Sequence, residues 1–410
     1  MRVLIVTHYY PPEVGAPQAR LSDLATMWAA AGHDVTVLTG MPNHPTGVVP
    51  PAYRRRLRVR EDVDGVRVVR TWLYATPNEG ILRKTLGHLS FMVSSVLLGG
   101  RAVGRQDVVV VSSPTFFSIF SAWFLARTRS ARFVLEVRDL WPAIFVELGV
   151  LRNRTVIAAL EVLERWAYRV ADRVVVVTDG FRDVLVGDGV PAAKVEVIPN
   201  GVDLTRFDGT ADGSRVRAAL GGVGPETCVV LYAGAHGISH ALPAVLAAAS
   251  RSAADDVRWV FVGEGAAKRA LVAEASARGL DKVSFHAAVP RDEMAALLAA
   301  ADVCLVSLRD IPLFRTFIPS KMFEYLAVGR PVIGLVAGEP AAILTAAGAV
   351  VVPPEDADAL AAAVRSLATD PDRRVEQAER GRAYVIAHHD RRALAERYAA
   401  VLADVVAGVR

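Results

Sequence analysis

Short apolar runs recur along the whole chain, separated by stretches whose apolar residues repeat at helical spacing. In the first half, runs rich in valine, leucine and isoleucine predict strands at residues 3–6, 35–38, 66–69, 108–111, 133–137, 174–177 and 195–198. Because these runs are continuous rather than alternating, each strand should be buried on both faces. This pattern is typical of a parallel sheet covered by helices.

The same pattern begins again after a polar segment at residues 208–215. Its predicted strands are residues 228–232, 259–262, 283–285, 303–307, 332–335 and 350–352, and the tail at 371–410 is predicted to be wholly helical. We therefore expect an α/β protein with two Rossmann-like, doubly wound parallel-sheet domains that face each other across a cleft. The first domain is placed at residues 1–205 and the second at 206–385, followed by a last helix at 386–410.

The charge distribution adds one feature to this picture. The net charge is only +4, but Arg54, Arg55, Arg56, Arg58 and Arg60 fall close together. This arginine cluster fits either a solvated surface or a dock for anionic lipid headgroups or diphosphates. No aromatic residues stand beside it and no base-reading motif follows, so no nucleic-acid partner is expected.

Cysteine usage and the apolar segments bear on location. Cys228 and Cys304 lie inside apolar runs, which indicates buried free thiols, and the N-terminus lacks the pattern of a secretory signal. The apolar stretch at 86–100 is too short to span a bilayer, and that at 108–126 divides better into strand, turn and buried helix. We expect a cytoplasmic protein, with peripheral contact at the inner membrane face left open.

The segment at residues 319–331, with the sequence PSKMFEYLAVGRP, is the strongest local signal. Ser320 can cap a helix whose first N–H groups, together with the positive end of the helix dipole, suit a phosphate. Lys321 adds a cation, and Glu324, about one turn later, can accept hydrogen bonds from ribose hydroxyls. The alternative is an ordinary capped helix with Glu324 in a salt bridge.

Three further loops follow predicted strands and contain glycine, which lets a backbone approach an anion closely. They are residues 11–17 with Gly15, residues 234–240 beginning at Gly234, and Gly263-Glu264-Gly265. The first of them lacks the spacing of a dinucleotide fingerprint. Each is weak alone, but all lie at strand ends, where doubly wound sheets bind ligands.

Charged and imidazole side chains also follow strands of the first domain. Arg138 comes after a buried strand and could meet a diphosphate, while Asp139 could act as a base or orient a hydroxyl. The alternative is a purely structural network between Arg138 and Asp139. His44 lies in a turn with the sequence PNHPTG and fits either a sugar contact or a plain loop histidine.

These motifs together resemble family 4 glycosyltransferases, retaining enzymes of the GT-B fold, over essentially the whole chain. The resemblance rests on the first loop, PPEVG, on VIPNGVD at 197–203, on FVGEG at 261–265 and on the segment at 320–331. PNHPTG at 42–47 and RDLWP at 138–142 resemble more narrowly the bacterial O-antigen and exopolysaccharide transferases of the fucosamine type.

The resemblance implies roles for single residues. Glu324 matches the glutamate that holds the donor's ribose, Gly15 matches the glycine near the diphosphate, and Gly263 and Glu264 match a strand end near the nucleoside. The C-terminal helix is expected to pack back on the first domain. The implied co-substrate is a nucleoside diphosphate sugar, with a UDP-sugar favoured, and the acceptor is a sugar or a lipid-linked sugar. No further cofactor and no metal are expected.

The chain also departs from the family pattern. Thr316 stands where the first of the paired glutamates is usual, and Arg138 stands where a histidine is usual. The arginine and lysine that usually follow the glycine-rich loop of the second domain are missing from residues 234–240. Lys321, Arg315 or Arg309 could supply that positive charge instead.

The resulting hypothesis is a retaining hexosyl- or N-acetylhexosaminyl-type transferase that acts in cell-surface polysaccharide or glycolipid assembly. Its catalytic residues are Asp139, Arg138 and Lys321; the nucleotide sugar is bound by Gly15, Gly234, Gly263, Glu264, Ser320, Lys321 and Glu324; and His44, Thr316 and Pro319 contact the substrate. The alternatives are transfer to a soluble small-molecule or natural-product acceptor, a sugar-nucleotide 2-epimerase, and a non-catalytic sugar-nucleotide-binding protein.

Overall fold

The computed structural model describes residues 1–13, 16–44, 46–76, 81–113, 116–220, 223–224, 226–252 and 256–409. They form two compact units, the first comprising Met1–Pro199 with Arg392–Arg410 and the second Asn200–Arg391. Each unit holds one predominantly parallel sheet with helices between successive strands. The predicted α/β class with two doubly wound sheets is therefore confirmed.

The first unit contains eight strands. They are β1 (Arg2–Val6), β2 (Asp34–Gly40), β3 (Arg58–Val63), β4 (Val66–Thr71), β5 (Val108–Ser112), β6 (Arg132–Val137), β7 (Arg173–Val176) and β8 (Val195–Val197). Its helices are α1 (Ala16–Ala30), α2 (Ile81–Ser94), α3 (Ser118–Arg129), α4 (Ala143–Glu147), α5 (Arg154–Val170) and α6 (Asp179–Gly187). The strand order is β3-β4-β2-β1-β5-β6-β7-β8, and only the edge pair β3–β4 is antiparallel among the described pairs.

The second unit contains six strands, all pairing in parallel. They are β9 (Cys228–Ala233), β10 (Val257–Val262), β11 (Val283–His286), β12 (Val303–Ser307), β13 (Val332–Leu335) and β14 (Val350–Val352), in the order β11-β10-β9-β12-β13-β14. Its helices are α7 (Ser214–Ala219), α8 (Leu242–Arg251), α9 (Lys268–Ala277), α10 (Met294–Ala299), α11 (Lys321–Ala327), α12 (Glu339–Ala346), α13 (Ala357–Ala368) and α14 (Pro371–His388).

Burial on both faces accounts for the continuous apolar runs. Val3, Leu4, Ile5 and Val6 of β1 are all fully buried, because β1 pairs with β2 on one side and β5 on the other while helices cover the sheet. Full burial of one such side chain contributes roughly 1.5–3 kcal/mol. The carboxyl ends of these strands are thereby fixed in position. The loops that follow them are where ligands bind in doubly wound sheets.

The last helix, α15 (Arg391–Ala407), packs almost entirely within the first unit. Trp28 of α1 donates from Nε1 to the carbonyl oxygen of Ala395 at 2.9 Å. Its ring meets that of Tyr398 edge-on, with centroids 5.2 Å apart. These buried contacts tie the end of the chain to its first helix.

The sequence predicted a wholly helical tail, and this prediction is wrong at one point. Residues 389–390 separate α14 from α15. The N–H of Val202 donates to the carbonyl oxygen of His389 at 2.9 Å, and the N–H of Arg391 donates to that of Val202 at 3.0 Å. This pairing draws residues 200–203 and 389–391 together. The units accordingly divide at Pro199 and Arg391, where the apolar pattern had placed the divisions after residues 205 and 385.

Strand β3 was not predicted, because its sequence RVREDV alternates and lacks an apolar run. It lies at the antiparallel edge of the sheet with much of its surface in solvent. The five residues of the arginine cluster lie in this strand and in the segment just before it, and all five are exposed. The cluster is therefore accessible to an anionic partner.

The two apolar segments behave as the sequence predicted. Residues 108–126 divide into β5 and most of α3. Residues 86–100 continue α2 into a π-helical turn at Ser95–Gly99. No helix within the described ranges combines the length and the apolar character needed to cross a bilayer. Cys228 and Cys304 are buried free thiols, as expected.

Candidate functional site

The loops after β9 and β10 lie directly against each other at the carboxyl edge of the second sheet. The N–H of Gly234 donates to the carbonyl oxygen of Val262, and that of His236 donates to Glu264, each at 2.9 Å. Gly234 and Gly263 have φ of 136° and 144°, a region that other residues rarely adopt. A Cβ on Gly263 would lie only 1.9 Å from the carbonyl oxygen of Gly234. Both positions require glycine, and the two loops form one backbone layer.

Lys321, the first residue of α11, reaches this layer with its side chain. Its Nζ donates to the hydroxyl oxygen of Tyr232 at 2.8 Å and lies 4.0 Å from the centroid of the Tyr232 ring. A Cβ on Gly234 would lie 2.6 Å from the same Nζ. The missing side chain at Gly234 therefore makes room for the ammonium group, and the structure brings two of the predicted site residues together.

The charge of Lys321 is sensitive to its surroundings. Burial lowers its pKa from the usual value to about 7, and the nearby carboxylate of Glu324 raises it by less. The ammonium group is thus only partly populated near neutral pH. An anion bound beside it would favour the charged form, because opposite charges stabilise each other strongly where water is scarce.

Two tyrosines hold the end of β9 and the loop that follows it, against which the side chain of Lys321 packs. The hydroxyl of Tyr232 donates to the carbonyl oxygen of Ala235 at 2.8 Å. The hydroxyl of Tyr325 donates to the carbonyl oxygen of Ala233 at 2.6 Å and accepts from the N–H of the same residue at 3.2 Å. Burial raises the pKa of both tyrosines, so both remain protonated donors.

The loop after β9 also carries two histidines that the sequence analysis gave no role. His236 is fully buried beside the rings of Tyr232, Phe261 and Phe285, and neither of its ring nitrogens has a hydrogen-bond partner in the described part of the chain. Burial lowers the pKa of His236 to about 4 and that of His240 to about 3. Both are neutral at neutral pH, so this loop supplies hydrogen-bonding groups rather than charge.

Glu264 follows Gly263 with an exposed carboxylate. That carboxylate pairs with Lys268 at 2.8 Å, and the same Nζ donates to the carbonyl oxygens of Gly263 and His286, also at 2.8 Å. Lys268 therefore holds the ends of β10 and β11 together and orients Glu264. The spacing of four residues between an acidic and a basic side chain was the signal that could have identified this pair.

Ser320 does not cap α11. Its backbone is already helical and its side chain makes no capping hydrogen bond. The N–H groups of Met322 and Phe323 donate to the carbonyl oxygens of Pro319 and Ser320, each at 3.2 Å. The first turn of α11 thus offers fewer free donors to a phosphate than the sequence predicted, and Lys321 is the stronger candidate for that contact.

The other residues predicted around α11 lie as follows. Glu324 is half-buried one turn after Lys321, and Pro319 is buried just before the helix. Thr316 ends a 3₁₀ turn and donates from its hydroxyl to the carbonyl oxygen of Leu313 at 2.9 Å. The hydroxyl of Thr316 is therefore already used by its own turn, although its oxygen can still accept a hydrogen bond.

In the first unit, Arg138 and Asp139 follow β6 as predicted. Their N–H groups donate to the hydroxyl oxygen of Ser113, at 3.0 and 3.5 Å. Burial raises the pKa of Asp139, and the positive charge of Arg138 opposes that shift. A half-buried carboxylate with a raised pKa is suited to accept a proton, so the arrangement is compatible with the predicted role of Asp139.

His44 is positioned by a residue to which the sequence analysis gave no role. The carboxylate of Glu13 accepts from the N–H groups of Asn43 and His44, each at 2.8 Å, and from that of Tyr10 at 3.3 Å. This ties the first loop to the loop that carries His44. Gly15, which the sequence predicts near a diphosphate, lies outside the described residues.

Comparisons with known proteins agree with this architecture. Residues 15–201 match the family described as glycosyl transferase 4-like domain, and residues 227–370 match glycosyl transferases group 1. The chain is 28% identical over 335 residues to a protein of Escherichia coli K12, the colanic acid biosynthesis glycosyl transferase WcaI. That alignment covers 80% of this chain and 82% of WcaI.

Two solved structures share the fold over nearly the full length. Sucrose-phosphate synthase from Thermosynechococcus elongatus superposes with a TM-score of 0.75 at 20% identity, covering 99% of each chain. Anabaena HepE in complex with UDP-glucose gives 0.73 at 16% identity, covering 98% of this chain and 100% of HepE. Since the two family profiles lie one in each unit and together account for most of the chain, the protein belongs to the family 4-type glycosyltransferases of the GT-B fold.

Proposed function

We propose that the protein transfers a sugar from a nucleoside diphosphate sugar, with UDP favoured, to an acceptor hydroxyl with retention of configuration. The observation that carries the donor assignment is the place of Lys321, whose ammonium group lies against Gly234 and Tyr232 at the carboxyl edge of the second sheet. HepE, which shares the fold, was solved with UDP-glucose. Retention follows from the family resemblance.

Lys321 would act on the leaving group. As the glycosidic bond breaks, negative charge grows on the departing diphosphate, so a cation held beside it binds the transition state more tightly than the ground state. One preorganised donor of this kind contributes roughly 2.7–4 kcal/mol. Tyr232 keeps the ammonium group in place, and no metal ion is required if the protein supplies this charge.

The remaining donor contacts follow from the positions of the predicted residues. Glu324, one turn after Lys321, would accept hydrogen bonds from the ribose hydroxyls. Glu264, exposed at the end of β10, would contact the nucleoside. Thr316 and Pro319 would lie toward the sugar. These assignments place the whole donor along loops that belong to one sheet edge.

On the acceptor side, Asp139 would orient the attacking hydroxyl and take up its proton. Burial raises the pKa of Asp139, so this pKa lies closer to the working pH than the pKa of an ordinary aspartate does. The neighbouring Arg138 would keep enough of Asp139 ionised for that purpose. His44 would contact the acceptor.

A membrane-bound acceptor is part of the proposal. One face of α2 and of the π-helical turn that follows it exposes four apolar side chains. They are Leu82 (74% exposed), Leu86 (48%), Val93 (50%) and Leu97 (74%). The exposed arginine cluster lies on the same unit. An apolar helical face together with basic residues suits the surface of an anionic membrane, so we place the enzyme at the cytoplasmic face and its product in polysaccharide or glycolipid assembly.

The donor assignment is tested by thermal unfolding with a panel of nucleoside diphosphates and their sugars. A ligand that binds only the native state raises its stability, so UDP or a UDP-sugar should raise the Tm of the wild-type protein. Lys321→Gln should lose most of that rise. Lys282 lies just before β11, at the amino end of that strand and away from the carboxyl edge of the sheet. Lys282→Gln should therefore keep the rise in Tm. Equal responses of the two variants would argue against the site.

Reaction products separate the remaining alternatives. With donor and acceptor present, we expect release of nucleoside diphosphate and a glycosidic bond of the donor's own anomeric configuration. An epimer formed from donor alone would indicate an epimerase, and binding without release would indicate a non-catalytic protein. Unchanged rates after treatment with a chelator are expected if no metal takes part.

A further inference from the structure

A pocket in the first unit lies between the end of β1, the loop at residues 41–44 and the helix α2. The residues that line it include His8, Tyr9, Asn43, His44, Lys84 and His88. Apart from His44, none of them was singled out by the sequence analysis. The pocket therefore concentrates three imidazoles and a lysine at a place that the proposed donor site does not use.

The imidazoles are packed against one another and against Tyr9. The ring centroids of His8 and His88 lie 4.1 Å apart, those of His8 and Tyr9 4.5 Å, and those of Tyr9 and His44 5.1 Å. His8 is only 3% exposed. The Nδ1 atoms of all three histidines are buried without a hydrogen-bond partner in the described ranges of the chain. Buried polar atoms are normally satisfied, so these three nitrogens are available to hydrogen-bond a ligand.

The charges around the pocket favour an anion. Lys84 is half-buried and makes no hydrogen bond or ion pair with another described residue. Glu13, the nearest carboxylate on the first loop, is occupied: its oxygens accept from the N–H groups of Tyr10, Asn43 and His44. The pocket thus presents one cation and several N–H and O–H donors, without a carboxylate free to accept hydrogen bonds from sugar hydroxyls.

The imidazoles of this pocket supply hydrogen-bond donors rather than fixed charge. Burial lowers the pKa of His8 well below its usual value, lowers that of His44, and lowers that of His88 to about 4. The positive charge of Lys84 lowers the pKa of His44 and His88 further. Each neutral ring still carries one N–H, and a bound anion would raise all three pKa values.

We propose that this pocket binds a phosphoryl group of the acceptor substrate, with Lys84 neutralising its charge and the imidazole N–H groups and Tyr9 donating hydrogen bonds to its oxygens. The inference rests on the proposed transferase function, because it assigns the pocket to the acceptor. It deepens that function by naming the acceptor's chemistry. The phosphoryl group could be carried by a lipid or by a soluble sugar.

The relation between the pocket and the apolar face of α2 bears on that choice. Lys84 and His88 line the pocket, while Leu82 and Leu86 of the same helix are exposed. A phosphate on a lipid could occupy the pocket while its hydrocarbon chain contacts the leucines. A soluble phosphosugar would need only the pocket.

The test uses the full-length protein labelled at its nine histidines, with UDP added first so that the donor site is filled. Titration with inorganic phosphate should shift the NMR signals of His8, His44 and His88, which are assigned by the variants His8→Gln, His44→Gln and His88→Gln. Lys84→Gln should weaken phosphate binding about 10- to 100-fold, as expected for losing a charged hydrogen-bond partner. Arg83→Gln removes an exposed charge from the neighbouring position and should leave the affinity unchanged.

Two results would overturn the proposal. One is an absence of phosphate-induced shifts at all three histidines; the other is an equal loss of affinity in Lys84→Gln and Arg83→Gln, which would indicate only general attraction. Vesicles containing phosphatidic acid, compared with phosphatidylglycerol vesicles of equal charge, identify the source. Preference for phosphatidic acid that depends on Lys84 supports a lipid phosphate, and binding of inorganic phosphate alone supports a soluble one.

UDP binding gives an independent readout. If Lys84→Gln still binds UDP and Lys321→Gln still shows the phosphate-induced histidine shifts, the two sites are separate. Failure of UDP binding in the wild-type protein would count against the proposed donor while leaving the phosphate pocket standing. Failure of phosphate binding with normal UDP binding would count against the pocket alone.

Discussion

Gly263 lies so close to Gly234 that a Cβ at position 263 would sit 1.9 Å from the carbonyl oxygen of residue 234. No flexible side chain is involved, so relief would require one of the two strand ends to move. The φ of 144° at Gly263 adds strain for any other residue, of about 1–3 kcal/mol. This contact fixes the spacing of the two loops on which the candidate donor site is built.

Gly263→Ala should therefore lower both stability and UDP affinity. We expect a loss of at least about 1–3 kcal/mol in the free energy of unfolding, from backbone strain alone. Gly237→Ala is the matched control, since a Cβ there meets no atom closer than 3.6 Å and its φ is −92°. Denaturant unfolding and UDP calorimetry check both effects. Equal stability of the two variants would show that the loops are not held as tightly as the contact indicates.

Lys321 should make UDP binding depend on pH. With its pKa at about 7 in the free protein, the fraction carrying the charge falls as pH rises through neutrality, and affinity for a diphosphate should fall with it. Binding at about pH 8 should take up protons, because the anion raises the pKa of the ammonium group. Calorimetry in buffers of different ionisation enthalpy measures that uptake.

Lys321→Gln should abolish the proton uptake, whereas Lys282→Gln should retain it. Both variants lose one lysine from the second unit, so general changes in charge cancel between them. Proton uptake that persists in Lys321→Gln would assign the titration to another group. In that case the place of Lys321 beside Gly234 would be structural rather than part of donor binding.

Most of the fold followed from the apolar pattern, because strands buried on both faces leave continuous runs such as that of β1. The strand that was missed, β3, is an edge strand whose residues alternate and face solvent. Its position depends on antiparallel pairing with β4, which no local pattern reveals. The break at residues 389–390 was missed for a similar reason, since it depends on a distant partner, Val202.

The candidate site was predictable only in part. Lys321 and Gly234 were identified from separate motifs, but their contact depends on how α11 packs beside β9. The prediction that Ser320 caps α11 was wrong. A serine before a helix resembles a cap in the sequence, but the sequence does not show that the backbone of Ser320 is already helical. His8 and His88 carried no sequence signal at all, since β1 and α2 bring them together across eighty positions.

Asp139→Asn should slow transfer strongly while leaving donor binding intact. If Asp139 takes up the proton of the acceptor hydroxyl, its loss should lower kcat by about 10²–10⁴-fold, the usual range for a general base. UDP affinity should not change. Asp183→Asn, an exposed aspartate on α6, is the control and should be fully active.

The pH profile gives a second test of Asp139. Because burial raises its pKa, the rate should fall on acidification at a higher pH than an ordinary aspartate would produce, as the carboxylate becomes protonated. That acidic limb should disappear from the residual activity of Asp139→Asn. A limb that is unchanged in the variant would mean that another group titrates and that the carboxylate of Asp139 is not the base.

Membrane contact should depend on both the leucines of α2 and the arginine cluster. Substituting Leu82 and Leu86 together by serine should weaken flotation with anionic vesicles, because burial of each leucine contributes up to roughly 1.5–3 kcal/mol. Neutralising Arg54, Arg55 and Arg56 should weaken it by about 1 kcal/mol per charge, an effect that salt should mimic. Val162→Ser is the control, because this apolar residue of α5 is 57% exposed, a fraction between those of Leu86 and Leu82. If the leucine variant floats as well as Val162→Ser, the apolar face of α2 does not contact the bilayer, and a soluble acceptor becomes the better interpretation.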